Sequence, residues 1–342
     1  MKDSPLIIPD SDFIQSFTQD KTTLSKEQQS PTRVDAHVDL PYFMMSHGIG
    51  KPFSELSEAP FTLTKAKAAN IRLFCTAIYC EDSYNGPGAE NRYQEILDFA
   101  ISRLDSLTLI KTREELGSVR ESPADRLFTV LLLENGDFLA DDPRDNISRL
   151  REDGVRIVSL THMGRNRLAD GNAVDIAEGI TDEGKEVVRI LSEKNIIVDT
   201  AHLHPKCFWQ LIDLTDRPVV CTHTGIQEVY KIPRNLNLEQ ISSITERGGI
   251  IGLSLNPEML GSHMKLGVET VFAHLDTVVQ KFGPSSVGIG SDLGGFNSAP
   301  EELLGPEALI RLEDLMERHG YGRQAIAAIM GGNWLHFLEL NM

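Results

Sequence analysis

IIVDTAHLHPKCFWQLIDLTDRPVVCTH, residues 196–223, passes from one β-branched run through a segment with apolar residues three and four apart into a second β-branched run. Short apolar runs bounded by turn residues read as buried strands, and the three-and-four spacing reads as a helix with one apolar face. Strand, helix, strand in that order is the unit of a parallel sheet. Both strands end in histidine, His202 and His223.

The alternation continues on both sides. Strand-like runs recur at TRVDAHVDL (32–40), ANIRLFCTAIY (69–79), RLFTVLLLE (126–134), VRIVSLTH (155–162), GGIIGLSL (248–255) and SVGIGSD (286–292), with helical patterns at 93–107, 182–194, 204–214 and 269–282. Eight strands suit a closed (β/α)8 TIM-type barrel better than an open doubly wound sheet, and no GxGxxG turn follows the first strand. GIGSDLGG (288–295) departs from that spacing and carries an acid where a phosphate cradle would not want one. The expectation is one α/β domain over residues 32–342. Residues 1–31, a mixture of Ser, Gln, Lys, Asp and Pro, read as an N-terminal arm.

Composition narrows the function. A net charge of -17 and a pI near 5.0 exclude nucleic acid as a partner, because phosphates would be repelled. Cys75, Cys80, Cys207 and Cys221 lie in apolar runs without CxxC spacing and fit reduced thiols. The opening MKDSPLIIPDSDF holds too short an apolar run for an export signal, and nowhere do about 18 apolar residues follow one another. The expectation is a cytoplasmic protein with no membrane partner.

The chemistry lies in where the polar residues fall. The predicted strands end in His37-Val38-Asp39, Glu134, His162, His202, His223 and Asp292, and in a barrel the C-terminal strand ends converge on one mouth. A lone histidine at a strand end is more often a structural residue than a ligand; six coincident positions outweigh that reading. His274, His319 and His336 fall on helix patterns and read as structural, His204 as a loop residue before Pro205, and Asp170 and Asp199 as capping or supporting acids. The period of two puts His37 and Asp39 on one face, where both can grip one ion. His202 and His223 would hold a second, with Glu134 spanning the two. Imidazole and carboxylate suit zinc and similar divalent ions, and two such ions can share and activate a water for amide hydrolysis. No GxSxG elbow offers a protein nucleophile instead.

DAHVDLP (35–41), LLLENG (131–136), VRIVSLTH (155–162), TDEGKEVVRILSEKNIIVDTAH (181–202), PVVCTHTG (218–225), PRNL (233–236) and VGIGSDLGG (287–295) resemble, in order, the motifs of the membrane dipeptidase (renal dipeptidase) family of zinc metallopeptidases. The likeness runs from residue 33 to about 338, ending at GGNWLHFL. It implies a metallo-dependent hydrolase-like barrel and a dipeptidase, with His37, Asp39, Glu134, His202 and His223 on two zinc ions and a dipeptide with a free carboxylate as substrate. It also implies that His162 steadies the scissile carbonyl, that Arg234 holds the substrate carboxylate, that Asp292 moves protons, and that the chain forms a homodimer.

Departures from the pattern touch the pocket wall. The loop after His162 gains Arg165 and Arg167 and loses an aromatic, Thr222-His223-Thr224-Gly225 replaces Ser-His-Ser-Ser, GLSLNPEML lacks a tyrosine, and Gly294 stands where a second aspartate is common. The two arginines read as solvent-facing; pointing inward, they would favour an acidic substrate. Hydrolysis of another small amide on the same binuclear site, and a catalytically silent barrel with a binding role, are the alternatives. A cyclic-amide hydrolase is less favoured, since it usually opens with His-x-His and often carries a bridging lysine.

Overall fold

The computed structural model describes residues 31–123, 125–262 and 265–342. The expected arm over residues 1–31 lies, except for Pro31, outside the described residues. Nine parallel strands occur in them: β1 (Arg33–Val38), β2 (Ile71–Tyr79), β3 (Leu107–Leu109), β4 (Leu127–Glu134), β5 (Val155–Ser159), β6 (Ile197–Asp199), β7 (Cys221–Thr224), β8 (Ile251–Leu253) and β9 (Val287–Ile289). Hydrogen bonding orders them β6-β5-β4-β2-β1-β9-β8-β7. A parallel bridge between Asp199 and Val220 joins the two ends, with Thr200 N donating to Val220 O at 2.7 Å and Val220 N donating to Val198 O at 3.1 Å. The sheet is thereby closed, and the eight strands expected from the sequence are its staves. β3 is an addition: three residues paired to the first half of β4, too short to stand out beside longer apolar runs.

The barrel is filled. Residues on the same face as Tyr79 (Leu73, Cys75, Ala77) and as Glu134 (Val130, Leu132) cluster with Ile157 and Ile197 in one buried group. A larger apolar layer packs the strands against the surrounding helices. Those helices start where the sequence supplies caps: Thr181 accepts from Gly184 N ahead of Asp182–Glu193, and Asn237 forms a capping box ahead of Leu238–Glu246. None among the described residues is long and apolar enough to cross a membrane.

Three strands stop earlier than their residue patterns suggest. His162, His202 and Asp292 each lie three residues beyond β5, β6 and β9. His202 (φ 63°) and Asp292 (φ 66°) take the left-handed conformation, which turns the chain out of the extended course of the strand before it. Outside glycine that backbone costs of order 1 kcal/mol or more and collects at functional sites.

Strands β7 to β9 approach closely because glycines face the Thr222 carbonyl. A Cβ on Gly290 would sit 1.7 Å from Thr222 O, and one on Gly252 2.1 Å from it. Gly290→Ala is therefore expected to lose about 1–3 kcal/mol of stability or to fail to fold. Denaturant unfolding checks this, and an unchanged midpoint would contradict the packing described.

Candidate metal centre

β1 and β4 deliver the centre of the mouth. His37 is the penultimate residue of β1, and Asp39 precedes the helix Leu40–Ser46 without spending its carboxylate on a cap. Glu134 is the last residue of β4 and is buried. Glu134 Oε2 lies 3.4 Å from His37 Nε2, which is 3.3 Å from Asp39 Oδ2. Glu134 Oε1 lies 3.0 Å from His202 Nε2 and 3.9 Å from His223 Nε2, and those two nitrogens are 3.0 Å apart. One carboxylate thus turns one oxygen to the His37–Asp39 side and the other to the His202–His223 side.

Donor atoms of Glu134, His202 and His223 lie within 4.8 Å of one another, as do those of His37, Asp39 and Asp292. Buried His37 Nε2 and Asp39 Oδ1 have no hydrogen-bond partner among the described residues, and buried polar atoms are ordinarily satisfied. A nitrogen and oxygen set with orphaned lone pairs fits borderline divalent ions such as zinc. A third grouping, His37, Asp199 and His223, has the spacing as well. Asp199 is already saturated: Oδ1 accepts from Ala201 N and Thr222 N, both at 2.9 Å, and Oδ2 from Ser159 Oγ at 3.0 Å and Thr222 Oγ1 at 2.5 Å.

The charges respond to this crowding. Burial opposes the charge on His37, but the Asp39 and Glu134 carboxylates outweigh it and hold the imidazole well above its ordinary range. Burial likewise opposes the charge on Glu134, yet His37 and His202 hold it well below the usual carboxylate range. Burial, reinforced by neighbouring cations, pushes His202 and His223 down. Burial first and Asp39 next push Asp292 up. Its Oδ2 accepts from Asn256 Nδ2 at 2.8 Å.

Above the cluster lies a cavity of about 280 Å³, lined by Asp39, Glu134, His162, His202, Arg234 and Asp292 and walled by Tyr42, Tyr79, Met163, Asn172, Asn256 and Glu258. Of the eight expected site residues, six line it; His37 and His223 lie beneath. His162 Nδ1 is 3.1 Å from Asp82 Oδ2, which also accepts from Gly164 N, and 3.3 Å from Tyr79 Oη. Arg234 donates from Nη2 to His223 O at 3.0 Å, while its buried Nε has no partner among the described residues.

Arg165 and Arg167 do not reach the cavity. Arg165 pairs with Asp170 and Glu178, and Arg167 with Asp137 and Asp141. His204 caps the helix Pro205–Leu214, accepting from Lys206 N, and His274 is buried, accepting from Ile226 N. Tyr79, Asp82, Asn256 and Glu258 were not picked out from the sequence. Tyr79 was within reach, since it closes the second strand run as the acids and histidines close the others. Asp82 and Glu258 sit in loop and helix starts that no pattern distinguishes.

The chain belongs to the membrane dipeptidase family (peptidase family M19), whose model matches residues 24–340. Family M19 comprises metallopeptidases, and the chain has their metal-dependent hydrolase fold. An uncharacterized protein in the pqqA 5′ region of Klebsiella pneumoniae is 26% identical over 54% of this chain and 72% of its own length. An uncharacterized dipeptidase of Schizosaccharomyces pombe is 27% identical over 53% of this chain and 46% of its own. The chain thus spans less than half of the second relative. A metallopeptidase from Rhodobacter sphaeroides, solved with a phosphinate mimic of the dipeptide L-Ala-D-Ala, superposes with a TM-score of 0.81 at 21% identity, over 92% of this chain and 100% of that one. That likeness shows the fold.

Zinc at about 100 times its dissociation constant is expected to stabilise the metal-free chain by about 2.7 kcal/mol. Magnesium, which prefers oxygen ligands, is expected to do so far less. Thermal unfolding with each ion checks this; equal shifts, or none with zinc, would contradict the donor set.

Proposed function

We propose that the protein is a dipeptidase working on two divalent metal ions, zinc in the first place. The observation that carries the reading is Glu134, which presents one oxygen to each of two donor pairs beneath a cavity with a guanidinium in its wall. His37 and Asp39 would hold one ion, His202 and His223 the other, and Glu134 both. Ions bound there supply a Lewis acid for the carbonyl and acidify an attacking water.

The chain's own residues do the rest. Arg234, without an ion-pair partner among the described residues, offers its planar fork to the substrate carboxylate. His162, steadied by Asp82, faces the cavity where the scissile carbonyl would lie and would stabilise the charge that develops on its oxygen. Asp292, buried and oriented by Asn256, is placed to take a proton from the water and deliver it to the leaving amine. The filled barrel below closes the site to solvent from that side.

Glu258 gives the wall an exposed carboxylate without an ion-pair partner among the described residues. It favours dipeptides that carry a cationic side chain. With Arg165 and Arg167 turned away and Arg234 taken by the substrate carboxylate, an acidic side chain finds no further cation to pair with there.

A panel of neutral, acidic and basic dipeptides, with L and D residues at the C-terminal side, tests the proposal. Cleavage is expected, sensitive to chelator and lost on Glu134→Gln. Arg234→Gln is expected to lower kcat/KM by about 30-fold or more, the loss of one buried charge-paired partner. Glu258→Gln is expected to lower it for basic dipeptides alone. Metal binding without turnover of any dipeptide would redirect the reading to another small amide, and cleavage that survives Glu134→Gln would refute it.

A further inference from the structure

We infer that Thr222 is a positioning residue shared by two of the proposed metal ligands, one on each side of Glu134, so that its hydroxyl ties the two metal positions together. The inference rests on the binuclear reading above. Thr222 is fully buried on β7. Its backbone is fixed from both sides: its N–H donates to Asp199, and its carbonyl is enclosed by Gly252 and Gly290. The hydroxyl therefore occupies a set place.

A threonine hydroxyl has one hydrogen to donate and two lone pairs to accept with. The hydrogen goes to Asp199: Thr222 Oγ1 lies 2.5 Å from Asp199 Oδ2, the length of a hydroxyl donating to an ionised carboxylate. Asp199 receives four donors on its two oxygens, which leaves it accepting only. The lone pairs of Oγ1 then face His37 Nδ1 at 3.2 Å and His223 Nδ1 at 3.1 Å.

With the hydroxyl hydrogen engaged, both nitrogens must bring their own. His37 and His223 are thus each set with a hydrogen on Nδ1, which leaves Nε2, the atom that faces Glu134, as the one that would bind a metal ion. The two rings lie 3.9 Å apart, centroid to centroid. His37 belongs with Asp39 and His223 with His202, so one Asp199–Thr222 unit sets the donor atom on both sides. His202 has no such support; its buried Nδ1 lacks a partner among the described residues. Partners of this kind fix the tautomer and ring plane of a ligand, and their loss typically weakens metal binding by about 10–100-fold.

The test is a zinc titration of the full chain against a competing chelator, for the wild type, Thr222→Val and Thr222→Ser. Valine keeps the shape and removes the hydroxyl; serine keeps the hydroxyl. Both zinc dissociation constants are expected to rise about 10–100-fold in Thr222→Val and to stay near the wild type in Thr222→Ser, while the metal-free valine variant keeps the wild-type circular dichroism spectrum although it unfolds at a lower temperature. A rise in one constant only, or in neither, would overturn the shared role. A wild type that binds fewer than two ions would overturn the binuclear reading itself, and this inference with it. Should Thr222→Val fail to fold, long-range ¹H–¹⁵N spectra of the zinc-loaded wild type decide the matter. Protected Nδ1–H signals are expected for both His37 and His223, and an Nε2–H signal from either would overturn the assignment.

Discussion

Glu134 sits at the end of a strand whose inward neighbours are Val130 and Leu132, and it is all but excluded from water. Carrying a carboxylate that far into an apolar barrel is unfavourable unless cations surround it. Three imidazoles surround it, yet burial pushes two of them, His202 and His223, toward the neutral form, and the Asp39 and Asp292 carboxyl groups crowd the same mouth. His37 can hold one proton between Asp39 and Glu134, but the acids outnumber what the imidazoles neutralise. Divalent cations between the two donor pairs would resolve both the excess charge and the orphaned atoms on His37 and Asp39.

The rest of the barrel serves that arrangement. Closure between β6 and β7 brings His202 and His223 together although a whole helix separates them in the chain. Left-handed backbone at His202 and Asp292 turns two side chains inward where straight strands would have carried them past the mouth. Gly252 and Gly290 admit the Thr222 carbonyl and set the height of β7, and with it the height of His223. Strain and close packing are thus concentrated beside the donor atoms.

Much of this was legible in the sequence because the barrel repeats one rule. Each stave is a run of apolar residues, six of the eight runs end in His, Asp or Glu, and the fold brings those ends together; the juxtaposition of His37, Glu134, His202 and His223 follows from that rule. Residues that act through a turn were not legible. Asp82 reaches His162 across two loops, and Glu258 enters the cavity wall from the first turn of the short helix Pro257–Leu260; neither contact has a spacing that a linear reading detects. The short β3 was hidden for a different reason, since three half-buried residues carry too little pattern. The solvent-facing reading matches Arg165, whereas Arg167 is half-buried against Asp137; each is held by two acids outside the cavity.

If Glu134 lies between two metal ions, anomalous diffraction at the zinc edge from crystals grown with zinc will show two peaks per chain, one beside Glu134 Oε2 with His37 and Asp39, the other beside Oε1 with His202 and His223. A single peak, or a peak centred on Asp199 instead, would rule out a binuclear centre bridged by Glu134.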